Sequence, residues 1–354
     1  MRTVFKATVF AAIFCAAGLA QAQEDLSALQ QKGATALADL VASDDPLRIH
    51  DLRFDARHAA EAIDYLKSGS AKDLTDMAAL PALDHLLRHA RRFDYDLPRD
   101  SALALAQSLV QVDPDQKRDL VEQAARSLEA FSGAMQRDPS WVGDVLRYLP
   151  RDFRFHGALF LTFGYDIGVS EGATASLNAC HWGFKDHPRE LVYYAIHELH
   201  HTGFMAYNSF PPISRWKTFK DLRDWALYAT ELEGMAVWAA YPRREAEGAL
   251  AQDGMGDYLA LDDAARMARL VTAYNKALDS LERRGAALAS TQDRDEMFRS
   301  FAQDRLWYRV GAHMARRIEA EKGRDYLVSL IKEGPAAFRQ AYLALGEARS
   351  RDGR

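Results

Sequence analysis

Residues 194–203 read Tyr194-Ala195-Ile196-His197-Glu198-Leu199-His200-His201-Thr202-Gly203, and the interpretation of the chain turns on them. The central five have the spacing H-E-x-x-H. On an α-helix four residues make just over one turn, so His197 and His201 project from one face about 6 Å apart. That separation suits two imidazole ligands of one tetrahedral Zn²⁺. Glu198 falls beside such an ion, where it can take a proton from a water the metal activates. Val192, Ile196 and Leu199 form a short apolar stripe, with Gly203 in the next place, and the two histidines share the neighbouring stripe with Tyr194. The pattern predicts a helix anchored in the core by one face and open to a cleft on another. Asp186-His187-Pro188 marks its expected start and Gly203 its expected end. His200 lies on a third face and reads as a packing residue or a partner of a ligand.

A catalytic zinc needs a third protein ligand and an open fourth position. Downstream, Thr230-Glu231-Leu232-Glu233-Gly234-Met235-Ala236-Val237-Trp238 offers two carboxylates. Two residues apart on a helix, Glu231 and Glu233 point about 200° apart, so both cannot face one ion. Gly234 and Ala236 favour Glu233, because small residues let its helix pack close to the histidine helix. Glu231 is left as a partner of a ligating histidine or a solvated charge.

Glu-Gly-x-Ala following H-E-x-x-H resembles the third-ligand segment of gluzincin metallopeptidases. Over Gly157 to Tyr342 the chain is most similar to uncharacterised zinc-dependent peptidases of bacteria. The resemblance implies a zincin-like catalytic region, Zn²⁺ held by His197, His201 and Glu233, Glu198 as general base, and a peptide or protein substrate. In gluzincins a Tyr or His of a later helix often stabilises the oxyanion. Tyr308 takes that place here, in a Tyr308-x-x-Gly311-x-x-Met314-Ala315 segment like the C-terminal helix of those peptidases. A packed core aromatic is the alternative reading of Tyr308, and His313 is the other candidate donor. Gly311 inside a helix costs about 1 kcal/mol relative to Ala, which predicts close approach of another backbone or of substrate. Arg305 and Arg309 are expected to be solvated. Also from the resemblance, the strand Thr174–Cys180 either edges the cleft, with Asn178 touching substrate backbone, or is buried without substrate contact. Two features depart from the family. The interval from His201 to Glu233 is long, at 32 residues, and contains Pro211-Pro212 and Trp216, which predict an extra loop and helix. No G-x-M-E-N precedes the motif, so aminopeptidase specificity is not carried over.

Outward from this core the texture changes twice. Residues 23–150 read as successive helices: Asp113-Pro114-x-Gln116 is a capped start, and Leu120, Ala124, Leu128 and Phe131 follow at helical spacing. Leu83, Leu86, Leu87 and Ala90 form a similar stripe, and Ser68-Gly69-Ser70 reads as an interhelical turn. Between Pro150 and Pro188, the apolar run 157–163, a turn at Gly164-Tyr165-Asp166 and the stretch Thr174–Ala179 predict two strands of a small sheet. Helical patterns return from Pro188. The expected fold is mainly α with a small antiparallel β-sheet (α+β), organised as residues 23–150 and a zincin-like region 151–354.

Residues 1–22 stand apart. Arg2 and Lys6 precede an apolar stretch from Ala7 to Ala20, and Ala20-Gln21-Ala22 fits a cleavage site, so a secretory signal peptide and an exported, periplasmic or secreted protein are expected. The apolar stretch is too short to span a membrane. Of two cysteines, Cys15 would leave with this segment, and Cys180 reads as a small buried hydrophobe. The net charge of −5, with no basic excess, argues against a nucleic-acid binder resting on phosphate contacts. Two rival functions fit the same residues: a helical binding or scaffold protein with a structural or vestigial metal, and a zinc hydrolase of a non-peptide amide or ester.

Overall fold

The structure is a computed structural model that describes residues 48–49 and 51–352; the expected signal peptide lies outside them. Six helices precede the main strands: α1 (Arg57–Ser68), α2 (Ala71–Ala78), α3 (Pro81–Phe93), α4 (Ala102–Leu109), α5 (Pro114–Arg137) and α6 (Trp141–Leu146). Eight follow: α7 (Glu190–Met205), α8 (Phe219–Ala246), α9 (Asp257–Asp262), α10 (Ala264–Arg284), α11 (Thr291–Ala302), α12 (Leu306–Lys322), α13 (Arg324–Glu333) and α14 (Pro335–Asp352). The local signals act as expected: Asp113 caps α5 by accepting from the Asp115 N–H, and Pro114 is the first helical residue. Gly69 ends α1 in the left-handed region, and the Ser70 hydroxyl caps α2.

The fold is mainly α with one small sheet, but the sheet is mixed rather than antiparallel. Its order is β1-β2-β3-β5-β4, built from β1 (Arg48–Ile49), β2 (Leu52–Asp55), β3 (Ala158–Thr162), β4 (Gly168–Glu171) and β5 (Thr174–Asn178). The two strands expected from sequence, β3 and β5, pair in parallel. The reason is an intervening strand. Beyond the Gly164 turn the chain runs out along β4, reverses at Gly172 (φ 60°) and returns as β5 between β3 and β4. Two reversals restore the original direction. The run 23–150 likewise contains a strand: β2, with Leu52 and Phe54 buried, pairs in parallel with β3.

Period-two alternation divides the sheet between two sets of helices. Ala158 and Phe160 of β3 cluster with Ala82 of α3, and Thr174 and Ser176 of β5 hydrogen-bond the His85 ring of α3. Leu159, Leu161, Ala175 and Leu177 point the other way, into the main core, and α7 packs against β4 and β5. In the antiparallel register Gly168 opposes Leu177 and Ser170 opposes Ala175. Gly168 and Ser170 of the outer strand therefore face α7.

Candidate metal centre

Helix α7 is buried almost all round. Only Tyr194, His197 and Met205 are partly exposed, and with His201 they form one stripe at spacings of three and four residues that lines a cleft. The expected anchoring face is present, since Val192, Ile196 and Leu199 are each at most 1% exposed. The helix does not stop at Gly203. It continues to Met205, and Gly203 sits against the Leu149 side chain, so the glycine answers a packing demand. His200 is fully buried, and its Nε2 lies 3.1 Å from the Tyr148 carbonyl oxygen.

The third element is α8, capped by a reciprocal Thr218–Asp221 box. Of the long interval after His201, the part between α7 and α8 is a loop with one 3₁₀ turn, Ile213–Arg215, and the expected helix is the N-terminal half of α8 itself. Glu233 Oε2 lies 3.1 Å from His197 Nε2 and 3.2 Å from His201 Nε2. Tetrahedral ligands at about 2.1 Å from zinc stand roughly 3.4 Å apart, so two imidazole nitrogens and one carboxylate oxygen with these separations fit such an ion. The three side chains form a group able to hold a metal. Glu231 is outside that group: it is wholly buried, and neither oxygen has a partner among the described residues. It is therefore neither solvated nor a partner of a group histidine.

Gly234 explains itself differently from the expectation. A Cβ there would lie 2.2 Å from the Gly311 carbonyl carbon, and one at Gly311 would lie 2.1 Å from the Thr230 carbonyl oxygen. The small residue lets α8 touch α12, not α7. The backbone expected to crowd Gly311 is thus that of α8. One turn before Gly311, the Tyr308 ring stacks on His197 at 6.1 Å between centroids and 18° between planes. His313 stands away from this group, its ring edge-on to Tyr342.

Burial pushes the His197 imidazole down to about 4, helped by the His201 charge and opposed by Glu233. For His201 burial acts downward too, but the Glu233 charge and hydrogen bond outweigh it and raise its pKa. Burial pushes Glu233 upward, and the His201 charge with hydrogen bonds from both imidazoles holds the carboxyl below its ordinary range. Glu198, on the same cleft, is pushed up to about 7, chiefly by burial. The Ser170 hydroxyl lies 2.8 Å from both Glu198 Oε2 and the Glu198 carbonyl oxygen. Gly168 leaves room for the carboxylate, since a Cβ there would sit 2.7 Å from Glu198 Oε1. Burial and the Glu233 charge keep the Tyr308 hydroxyl protonated.

For the strand Thr174–Cys180 the contacts favour the buried reading over the cleft-edge one. Asn178 is 4% exposed and ties the Gly164 turn together: its Oδ1 accepts from Gly164 and Cys180 N–H, and its Nδ2 donates to the Tyr165 carbonyl. The strand β5 is interior, and β4 is the outer one. Arg305 and Arg309 are not free solvated charges: both donate to Asp257, Arg309 from a buried position and Arg305 with part of its side chain exposed. Cys180 is buried as expected, and burial raises its thiol to about 11. Ser170 and Gly168 were missed, although Ile167-Gly168-Val169-Ser170 alternates apolar and small residues as a half-buried strand does.

The cleft has a volume of about 400 Å³ and is lined by Gly168, Val169 and Ser170 of β4, by the metal group, Glu198 and Tyr308, and by the aromatic rings of Phe93, Trp225, Tyr228 and Phe298. No helix among the described residues is long and apolar enough to cross a membrane. No curated protein and no solved structure matches the chain significantly. The family model described as "Putative zinc dependent peptidase (DUF5700)" matches residues 117–348. That match takes in more than half of the sequence, opens within α5 and contains α7, α8 and α12, so the chain belongs to this family.

Proposed function

We propose that the protein is an exported zinc metallopeptidase of gluzincin type. The observation that carries the reading is the convergence of His197, His201 and Glu233 from two helices, with Glu198 and Tyr308 facing the same cleft. These three side chains would be the protein ligands. Zinc bound by two histidines and a carboxylate supplies Lewis acidity, which polarises a carbonyl and acidifies a water. Glu198 takes the proton of the attacking water and returns it to the leaving amine. Ser170 fixes the Glu198 carboxylate during both transfers. The Tyr308 hydroxyl donates to the oxyanion of the tetrahedral intermediate. An extended peptide pairs with the outer strand β4 by main-chain hydrogen bonds, which carries its scissile bond past Glu198. Export rests on the leader-like residues 1–22.

Metal analysis of purified protein tests the ligand set, and peptide hydrolysis tests the base. Glu233→Gln is expected to lose zinc and Glu231→Gln to keep it. Glu198→Gln is expected to keep zinc and lose turnover. Hydrolysis surviving in Glu198→Gln would refute the base assignment.

A further inference from the structure

The end of the cleft beyond Tyr308 carries an arginine that the proposed chemistry does not use. Arg305 precedes α12 at φ 50°, in the left-handed region that non-glycine residues seldom occupy. Its Nε lies 2.9 Å and 3.0 Å from the two Asp257 oxygens, and its Nη2 lies 2.7 Å from Oδ2. Arg309 donates its Nε to the same carboxylate at 3.0 Å. Two guanidinium groups on one carboxylate leave a surplus positive charge.

That charge is aimed. The Arg305 guanidinium lies 3.7 Å from the centroid of the Tyr308 ring, and Tyr308 stacks on His197, so two ring contacts connect the arginine to the metal group. Its Nη1 bonds to none of the described residues, and its side chain keeps 27% exposure. The other arginines lining the cleft are engaged. Arg92 holds Glu171 and the Phe210 carbonyl, and Arg244 forms a buried pair with Glu190. Tyr194 lines the same end one turn before His197, and its hydroxyl bonds to no described residue. Asp253 adds a negative charge nearby, with its oxygens taken by the Met255 and Asp257 N–H groups. Recognition here therefore works by short hydrogen bonds and not by a long-range positive field. An extended peptide advances roughly 3.3–3.6 Å per residue, so a group one or two residues from the scissile bond reaches this spot.

We infer that Arg305 Nη1 and the Tyr194 hydroxyl bind a carboxylate of the substrate peptide. The inference rests on the metallopeptidase reading for the peptide's presence in the cleft. The carboxylate is either a free C-terminus or an Asp or Glu side chain. A hydrogen bond to a charged group contributes about 1.5–3 kcal/mol, which corresponds to a preference of roughly 10- to 100-fold.

The test uses three peptides matched in their remaining, uncharged side chains: a free acid, its C-terminal amide, and the amide with one Glu beside the cleavage position. Their Kd values are measured by calorimetry on zinc-loaded Glu198→Gln protein, so that no turnover intervenes. At least one carboxylate peptide is expected to bind 10-fold or more tightly than the plain amide. The arm that gains identifies a terminal or a side-chain carboxylate. Adding Arg305→Met is expected to bring the ratio near one. Should that variant not fold, Tyr194→Phe carries the test and reduces the ratio severalfold. Equal Kd values for all three peptides overturn the inference, as does a preference that survives the substitution. Preferential binding of peptides that the zinc-loaded wild type never cleaves would sink the peptidase reading and leave the anchor standing.

Discussion

Substituting alanine at the crossing of α8 and α12 provides a sharp test of how the centre is built. In an ordinary helix interior Gly→Ala stabilises by about 1 kcal/mol. At Gly234 the added Cβ would lie 2.2 Å and 2.3 Å from the Gly311 carbonyl carbon and Cα, and 2.7 Å from the Ala312 nitrogen. At Gly311 it would lie 2.1 Å from the Thr230 oxygen and 2.8 Å from the Gly234 Cα. These are backbone atoms that no rotamer change removes, so the two helices must separate by about an ångström to restore normal contact. Overpacking of this kind costs about 1–3 kcal/mol beyond any propensity gain. Each variant is therefore expected to lose about 2 kcal/mol. Gly143→Ala in α6, where a Cβ meets nothing within 4 Å, is expected to gain up to about 1 kcal/mol. Urea unfolding midpoints measure all three. The separation also moves Glu233, so zinc content is expected to fall in Gly234→Ala and to hold in Gly143→Ala. Stability at or above wild type in both crossing variants would refute backbone contact between α8 and α12.

Three further predictions follow from single groups. His58 is wholly buried, and burial lowers its pKa to about 4. Because this lies below the unfolded value near 6.5, its contribution is full above that pH and is lost as pH falls toward 4. His58→Leu should remove this loss, gaining about 2 kcal/mol at pH 5 relative to its own difference from wild type at pH 7.5; equal differences at the two pH values would remove His58 from the acid response. Arg244 and Glu190 pair at 2.7 Å and 2.6 Å with 1% and 2% exposure, and the guanidinium lies between the Tyr193 and Tyr258 rings. Arg244→Met leaves the carboxylate uncompensated and is expected to cost about 3–5 kcal/mol by urea unfolding; a loss under 1 kcal/mol would mean that the pair is not buried. Tyr308→Phe should lower kcat about 10- to 100-fold or more with zinc content unchanged. An unchanged kcat removes the hydroxyl from the mechanism.

The sequence made legible whatever depends on neighbours along one helix. The pair His197 and His201, the cap at Asp113 and the stripe of α3 are set by local periodicity, and a reader of the chain can place them without knowing the fold. Legibility failed where a contact joins distant segments. The strands β3 and β5 were visible as apolar runs. Their parallel pairing was not, because it depends on β4, a short outer strand whose only marks are alternation and the turn at Gly172. Asp257 binds two arginines 48 and 52 residues away, and no local pattern reports such a partnership.

Gly234 and Gly311 lie between these cases, and they show how fold and site share one constraint. Each is a mild defect in its own helix, so each advertised an unseen neighbour, though not which one. The neighbours are each other. Glu233 immediately precedes the first glycine, and Tyr308 stands one turn before the second. The crossing fixes the carboxylate and the tyrosine relative to one another. Helix α7, held by its buried faces, then has only to present His197 and His201 at the right height. A group assembled from three helices thus draws on a backbone crossing with no side chain in it, beside the packing of α8 on α7. That is why two glycines without side chains bear on the geometry of His197, His201 and Glu233.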